Sequence, residues 1–300
     1  MINISIETHK NLYYEYKDAL DFCKTIDVNK FNYPSYKTNF HIYSEIKNQK
    51  EAMSVKSFFA TQDIKHTQLI LWSDYNVENN IFLQPFKQYI DFRIYDPIKE
   101  SKNTILENCT DKLCANDRLY YSKSDLMRLL VCHKYGGIWI DMDVILLRNF
   151  KPFFDQEFVY MWGTERNFED YGACATIIHI LKNSEFGSEL LKELKQSEII
   201  PLSYNWGKDL IAKVYKRYKK FTIFPSVFFN TEWQMNPAGN GAKHETGWFV
   251  NNEYSNHLCL EAFSWHWHNT SYKNAEIQSG SKFDLLTKLI DNKLKIMGFI

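Results

Sequence analysis

Asp141 and Asp143 are separated by one residue and follow the apolar run Ile138-Trp139-Ile140. In an extended chain residues i and i+2 point the same way, so both carboxylates are expected on one side. Two hard oxygen donors there make a seat for Mg²⁺ or Mn²⁺ carrying a diphosphate. Upstream, Arg128 interrupts an apolar stretch from Leu126 to Cys132, and Asp125 stands just before it. On a helix their spacing puts them on one face. A surface pair of that kind contributes only a few tenths of a kcal/mol. Burying it for that gain alone is unrewarding, because desolvation can cancel the Coulombic attraction. A third candidate group is His266 and His268, two apart in LCLEAFSWHWH and so facing one side of a strand.

The elements that must position these groups can be read around them. Ser122 and Ser124 are both good N-caps for a helix that is apolar nearly all round, and Gly136-Gly137 stops it. Ile138 to Ile140 then starts a strand, and Val144 to Leu147 is its continuation or the next one. Earlier in the chain, residues 9–27 carry a helical apolar stripe, and Pro34 lies in a break. Asn39 to Tyr43 reads as a strand, Lys50 to Phe59 as a helix, and Thr67 to Trp72 as a second strand ending at Ser73-Asp74. That order opens a parallel sheet, whose ligands collect at the carboxyl ends of strands. Ile81 to Ile98 reads as a helix and a short strand, and residues 99–116 as a polar connection. Strands are expected over 158–162, 173–180 and 221–224, helices over 185–194 and 206–218, and a loop over 230–247. Leu258 to His268 reads as the last strand and Ser281 to Met297 as a terminal amphipathic helix.

Three hundred residues with 45% apolar content can bury a large core. Lysine plus arginine equals aspartate plus glutamate, 36 each, which excludes binding nucleic acid through a bulk positive field. Six cysteines (23, 109, 114, 132, 174, 259) show neither a CxxC pair nor a zinc spacing, and are read as reduced and structural. The N-terminus has no apolar signal core and no run could span a bilayer, so a cytoplasmic protein is expected, a reading compatible with peripheral membrane association.

The block SDLMRLLVCHKYGGIWIDMDV resembles the sugar-nucleotide-binding region of DXD-type glycosyltransferases of family 32. That family includes yeast initiating mannosyltransferases and animal α1,4-glycosyltransferases, and the pattern recurs remotely in clostridial toxin glucosyltransferase domains. Sparser likeness extends over residues 38–275: the first two strands, Thr222-Ile223-Phe224-Pro225, and His266 to Tyr272 against a C-terminal His-x-Trp-x-x-Ser-Trp motif. The resemblance implies an α/β fold of the GT-A type, a single domain with a Rossmann-like, mostly parallel sheet flanked by helices. Residues 38–275 would be the catalytic domain, 1–37 an N-terminal helical extension and 276–300 a C-terminal helix packed on it.

It also implies roles. Asp125, Arg128, Asp141 and Asp143 would form the catalytic set. Asp143 would bind the metal directly, and Asp141 would meet both the metal and the donor's ribose or sugar. Asp125 would accept from sugar hydroxyls, and Arg128 would donate to sugar or phosphate. His266, in preference to His268, would approach the metal or diphosphate. Tyr43, Asp74 and Trp139 complete the expected donor contacts, with Trp72 read as core and Trp233 to Trp248 as an acceptor-side loop. The expected reaction is metal-dependent, retaining transfer from a UDP- or GDP-sugar to a glycan or glycolipid hydroxyl, with Mn²⁺ or Mg²⁺ as cofactor. A toxin-like protein glucosyltransferase and an inactive nucleotide-sugar-binding module are the rival readings.

Overall fold

A computed structural model describes residues 1–2, 4, 12, 16–109, 120–162, 172–197, 207–232 and 244–300. Helix α1 (Tyr16–Thr25) precedes the first strand, β1 (Thr38–Tyr43), which is buried along nearly its whole length. Helix α2 (Gln49–Thr61) crosses over to β2 (Thr67–Ser73), which runs parallel to β1 from Thr38 beside Thr67 to Tyr43 beside Trp72. Parallel neighbours require such a crossover, and burial on both faces favours the continuous apolar runs seen here. A 3₁₀ helix, Ile81–Tyr89, containing Pro85, leads to β3 (Ile90–Ile94).

Helix α3 (Tyr120–Tyr135) delivers the chain to β4 (Gly137–Ile140). Ser122 and Ser124 lie inside α3, not at its N-cap, so the helix begins earlier than its capping residues suggested. Strand β5 (Val144–Leu146) leaves the main sheet, whereas β6 (Phe158–Met161) and β7 (Ala173–Ile180) rejoin it. Helices α4 (Glu185–Gln196) and α5 (Lys208–Tyr215) precede β8 (Thr222–Phe224). The last strand, β9 (Ser264–His266), is far shorter than its apolar run: Cys259 and His268 both take positive φ and bend the chain at either side of it. Helix α6 (Lys282–Ile296) ends the chain and packs on α2.

The strand order is β3-β2-β1-β4-β7-β6-β8, with β7 antiparallel to both its neighbours and the other strands parallel. This is the α/β arrangement expected, with β4 fourth of seven strands among the described residues. A separate ladder pairs β5 antiparallel with β9. The expected loop from Trp233 onward lies outside the described residues as far as 243.

Candidate active site

The sheet changes winding direction between β1 and β4. From β1 the chain moves outward to β2 and β3, then returns to place β4 on β1's other side. Loops leaving the carboxyl ends of two such strands diverge and open a crevice. Tyr43 ends β1, Asp74 follows β2, and Asp141 follows β4, so all three border that crevice.

The turn from α3 into β4 sets the geometry. Gly136 has φ +72° and donates its N–H to the Cys132 carbonyl at 2.8 Å, closing the helix. Gly137 has φ +124°, and a Cβ there would stand 2.3 Å from the Asn39 carbonyl oxygen, so only glycine fits. Side chains of β1 satisfy the helix end: Asn39 Nδ2 donates to the Tyr135 and Gly136 carbonyls at 3.2 and 3.3 Å, and His41 Nε2 to Gly136 at 3.0 Å. The chain therefore doubles back, and α3 residues come to lie beside the end of β4.

Arg128 occupies the centre of the result. It is 4% exposed, and its guanidinium meets Asp125 Oδ1 at 2.5 Å and Asp141 Oδ1 at 3.1 Å. Trp139 donates its indole N–H to Asp141 Oδ1 at 2.6 Å, and Arg128 lies over the Trp139 ring at 5.5 Å. Trp139 is thus a core side chain whose polar edge orients the first aspartate.

The aspartates sit in a turn, not in extended chain: the Val144 N–H donates to the Asp141 carbonyl at 3.1 Å. The expected reason for their shared side is therefore wrong, although the turn still brings their charges within reach of each other. Asp143 Oδ2 accepts from the Asn269 N–H at 2.7 Å and lies 3.1 Å from His266 Nε2. The β5–β9 ladder sets that contact by pairing Val144 with His266. Burial pushes both carboxyls up. At Asp141 burial outweighs Arg128, and the Asp143 charge adds to it, so the carboxyl is raised. At Asp143 the charge and hydrogen bond of His266, with the Asn269 amide, outweigh burial and hold it well below the usual carboxylate range.

These residues fit a divalent cation. The two carboxylates repel each other across the turn, and His266 Nδ1 is buried without a hydrogen-bond partner. Carboxylate oxygens suit Mn²⁺ or Mg²⁺, and the imidazole adds a nitrogen donor beside them. His268 is engaged elsewhere, its Nε2 lying 3.1 Å from Asn230 Oδ1, although its ring stacks 3.7 Å from that of His266. Burial and the neighbouring His266 keep His268 neutral.

Tyr43 is 2% exposed and packs edge-on against Tyr95, so what it offers is its hydroxyl, which donates to Asp74 Oδ1 at 2.7 Å. Lys123 of α3 reaches the same carboxylate. Trp72 is fully buried and donates to His41 Nδ1 at 3.2 Å, a core role. The sequence reading missed Lys123 and the Asn269 amide. Lys123 stands within the Ser-Lys-Ser-Asp run that drew attention to Asp125, whereas the amide carries no residue-type signal at all.

Residues 8–160 match the family of glycosyltransferases described as "glycosyltransferase sugar-binding region containing DXD motif". With the aspartate pair, the upstream Asp–Arg pair and the GT-A sheet in place, the chain belongs to that family and is a glycosyltransferase. The glycosyltransferase GlyE of Streptococcus pneumoniae TIGR4 has the same fold, with TM-score 0.51 at 8% identity over 88% of this chain and 64% of GlyE. The bifunctional glycosyltransferase WbbM aligns with TM-score 0.50 at 11% identity over 89% of this chain. The chain spans about half of WbbM, at 51% of its length. PaToxG glycosyltransferase aligns with TM-score 0.45 at 16% identity over 70% of this chain and 79% of its own. No curated protein matches the chain. Among the described residues no helix is long and apolar enough to cross a membrane.

Proposed function

We propose that the protein transfers a sugar from a nucleoside diphosphate sugar to a hydroxyl of a glycan acceptor, with a divalent cation and with retention of configuration. The observation that carries this reading is Arg128 held between Asp125 and Asp141, with Asp143 and His266 on the other side of the same turn.

Asp141, Asp143 and His266 would hold the ion; when bound, Mn²⁺ or Mg²⁺ offsets the charge of the diphosphate. Asp143, ionised and pinned by the Asn269 amide, is the better direct ligand, and His266 orients it. Asp125 and Arg128 orient the sugar, Asp125 accepting from hydroxyls and Arg128 donating to sugar or phosphate oxygens through its remaining N–H groups. Because Arg128 is already fixed by two carboxylates, little further ordering accompanies donor binding. Tyr43 and Lys123 aim the Asp74 carboxylate at the nucleoside side of the crevice.

For the transfer itself, Asp125 is tied to Arg128 and is a poor covalent nucleophile. Same-face attack, with the departing phosphate oxygen taking the acceptor proton, accounts for retention with the groups present. Trapping a glycosyl-enzyme adduct by mass spectrometry would rule that route out. The donor class is tested by thermal-shift screening of UDP- and GDP-sugars with and without Mn²⁺, since ligands that bind the folded state raise Tm. A rise seen with a nucleotide sugar only when Mn²⁺ is present supports the proposal; no rise with any of them contradicts it.

A further inference from the structure

Near Trp265 of β9, whose ring lies 5.0 Å from Lys282 Nζ, Glu232, His257 and Cys259 converge, with one ligand atom from each lying within 4.8 Å of the others. Glu232 is 3% exposed and Cys259 7%, while His257 is exposed and closes the cluster from the solvent side. The two oxygens of the Glu232 carboxylate have different neighbours. Oε2 accepts from Lys282 Nζ at 2.7 Å and from the Trp248 indole N–H at 2.9 Å. Oε1 accepts from the Cys259 thiol at 3.6 Å and lies 3.8 Å from His257 Nδ1. A buried Glu–Lys pair needs only the first of these arrangements. The second puts Oε1 at 3.6 Å from sulfur and 3.8 Å from nitrogen, near the roughly 3.3–3.6 Å edges of a tetrahedral zinc site, with all three atoms within 4.8 Å of one another.

The backbone adds an independent observation. Glu232 has φ +69° and Cys259 φ +50°, a conformation uncommon for residues other than glycine and asparagine. Both strained positions aim a side chain at the same point, and such strain persists where surrounding structure or function requires it.

We infer that Glu232, His257 and Cys259 form a second cation site, separate from the aspartate turn, that takes zinc. Cys259 binds as thiolate and releases its proton to solvent, Glu232 binds through Oε1, and His257 through Nδ1. Lys282 and Trp248 hold the other carboxylate oxygen and fix its orientation. Tyr16, whose hydroxyl lies 3.0 Å from Cys259 Sγ, flanks the sulfur from α1. The site joins the loop after β8, the loop before β9, the start of α6 and helix α1. Its role is to stiffen the wall that carries His266, and it does not depend on the identity of the sugar donor or on catalysis.

The test uses untagged full-length protein purified without chelator. Zinc analysis is expected to find one equivalent in the wild type and in Asp143→Asn, and none in Cys259→Ala. Cobalt(II) added to chelator-treated wild type is expected to give a thiolate-to-metal charge-transfer band, which Asp143→Asn retains and Cys259→Ala lacks. Zinc should also raise the Tm of the stripped wild type by several degrees. Absence of both retained zinc and the cobalt–thiolate band in folded wild type would overturn the proposal, leaving a plain buried Glu232–Lys282 pair. A band that survives in Cys259→Ala would overturn it equally.

Discussion

Asp143 and His266 stand 3.1 Å apart although they lie far apart in the chain, and the two-stranded β5–β9 ladder is what joins them. The main sheet positions Asp141, at the end of β4, while the small ladder positions Asp143 and His266. The Asp-x-Asp turn is the point where the two sheets meet. Two consequences concern the histidines: His266→Ala should cost turnover by about 10- to 100-fold, by freeing Asp143 and removing a proposed ligand. His268→Asn, whose ring lies one layer further away, should cost less. Equal losses in steady-state rates would contradict this division of labour.

Arg128 is the buried charge whose loss should be felt most. Replacement by alanine leaves Asp125 and Asp141 without their cation, at a cost of about 3–5 kcal/mol. Arg128→Lys keeps charge but not the fork, so it should recover part of that stability and little of the activity. Denaturant unfolding of both variants measures the difference.

Gly137→Ala should destabilise by more than about 2 kcal/mol, since its Cβ would collide with the β1 backbone at Asn39. Gly298→Ala is the control: it also has positive φ, but an added Cβ there meets nothing within 4 Å. Its cost should be about 1 kcal/mol, from backbone strain alone.

Stability should fall with acidification through two histidines. Burial lowers His41 and His179 to about 4 from an ordinary 6.5. In His41 both ring nitrogens are committed, Nε2 donating to Gly136 and Nδ1 accepting from Trp72. The unfolded chain takes up protons below pH 6.5 while the folded one resists until about 4. The contribution is therefore full above the unfolded value and is lost progressively across that window as pH falls. Tm measured against pH should decline there, and His41→Gln should flatten the slope.

Much of the site was legible because its signals are local. A buried helix containing one charged pair, two glycines and an Asp-x-Asp all lie within a few turns of chain, and glycine's φ freedom is written in its identity. The order of strand and helix from Thr38 to Ser73 likewise gave the parallel sheet. What failed was conformation at the aspartates, where apolar flanks suggested extended chain but the chain must turn to change sheets. The last apolar run was likewise too long, since Cys259 and His268 bend it at positions with no glycine to announce the turn. Longer-range partnerships, Asp143 with His266 and Glu232 with Cys259, depend on tertiary register and leave no spacing to read.

Asp143 is proposed to anchor a metal-dependent transfer. Manganese-dependent turnover of the nucleotide sugar identified by thermal shift should be abolished in Asp143→Asn, while the far-ultraviolet circular dichroism of the variant stays that of the wild type. A folded Asp143→Asn protein that turns the donor over at the wild-type rate would contradict the account.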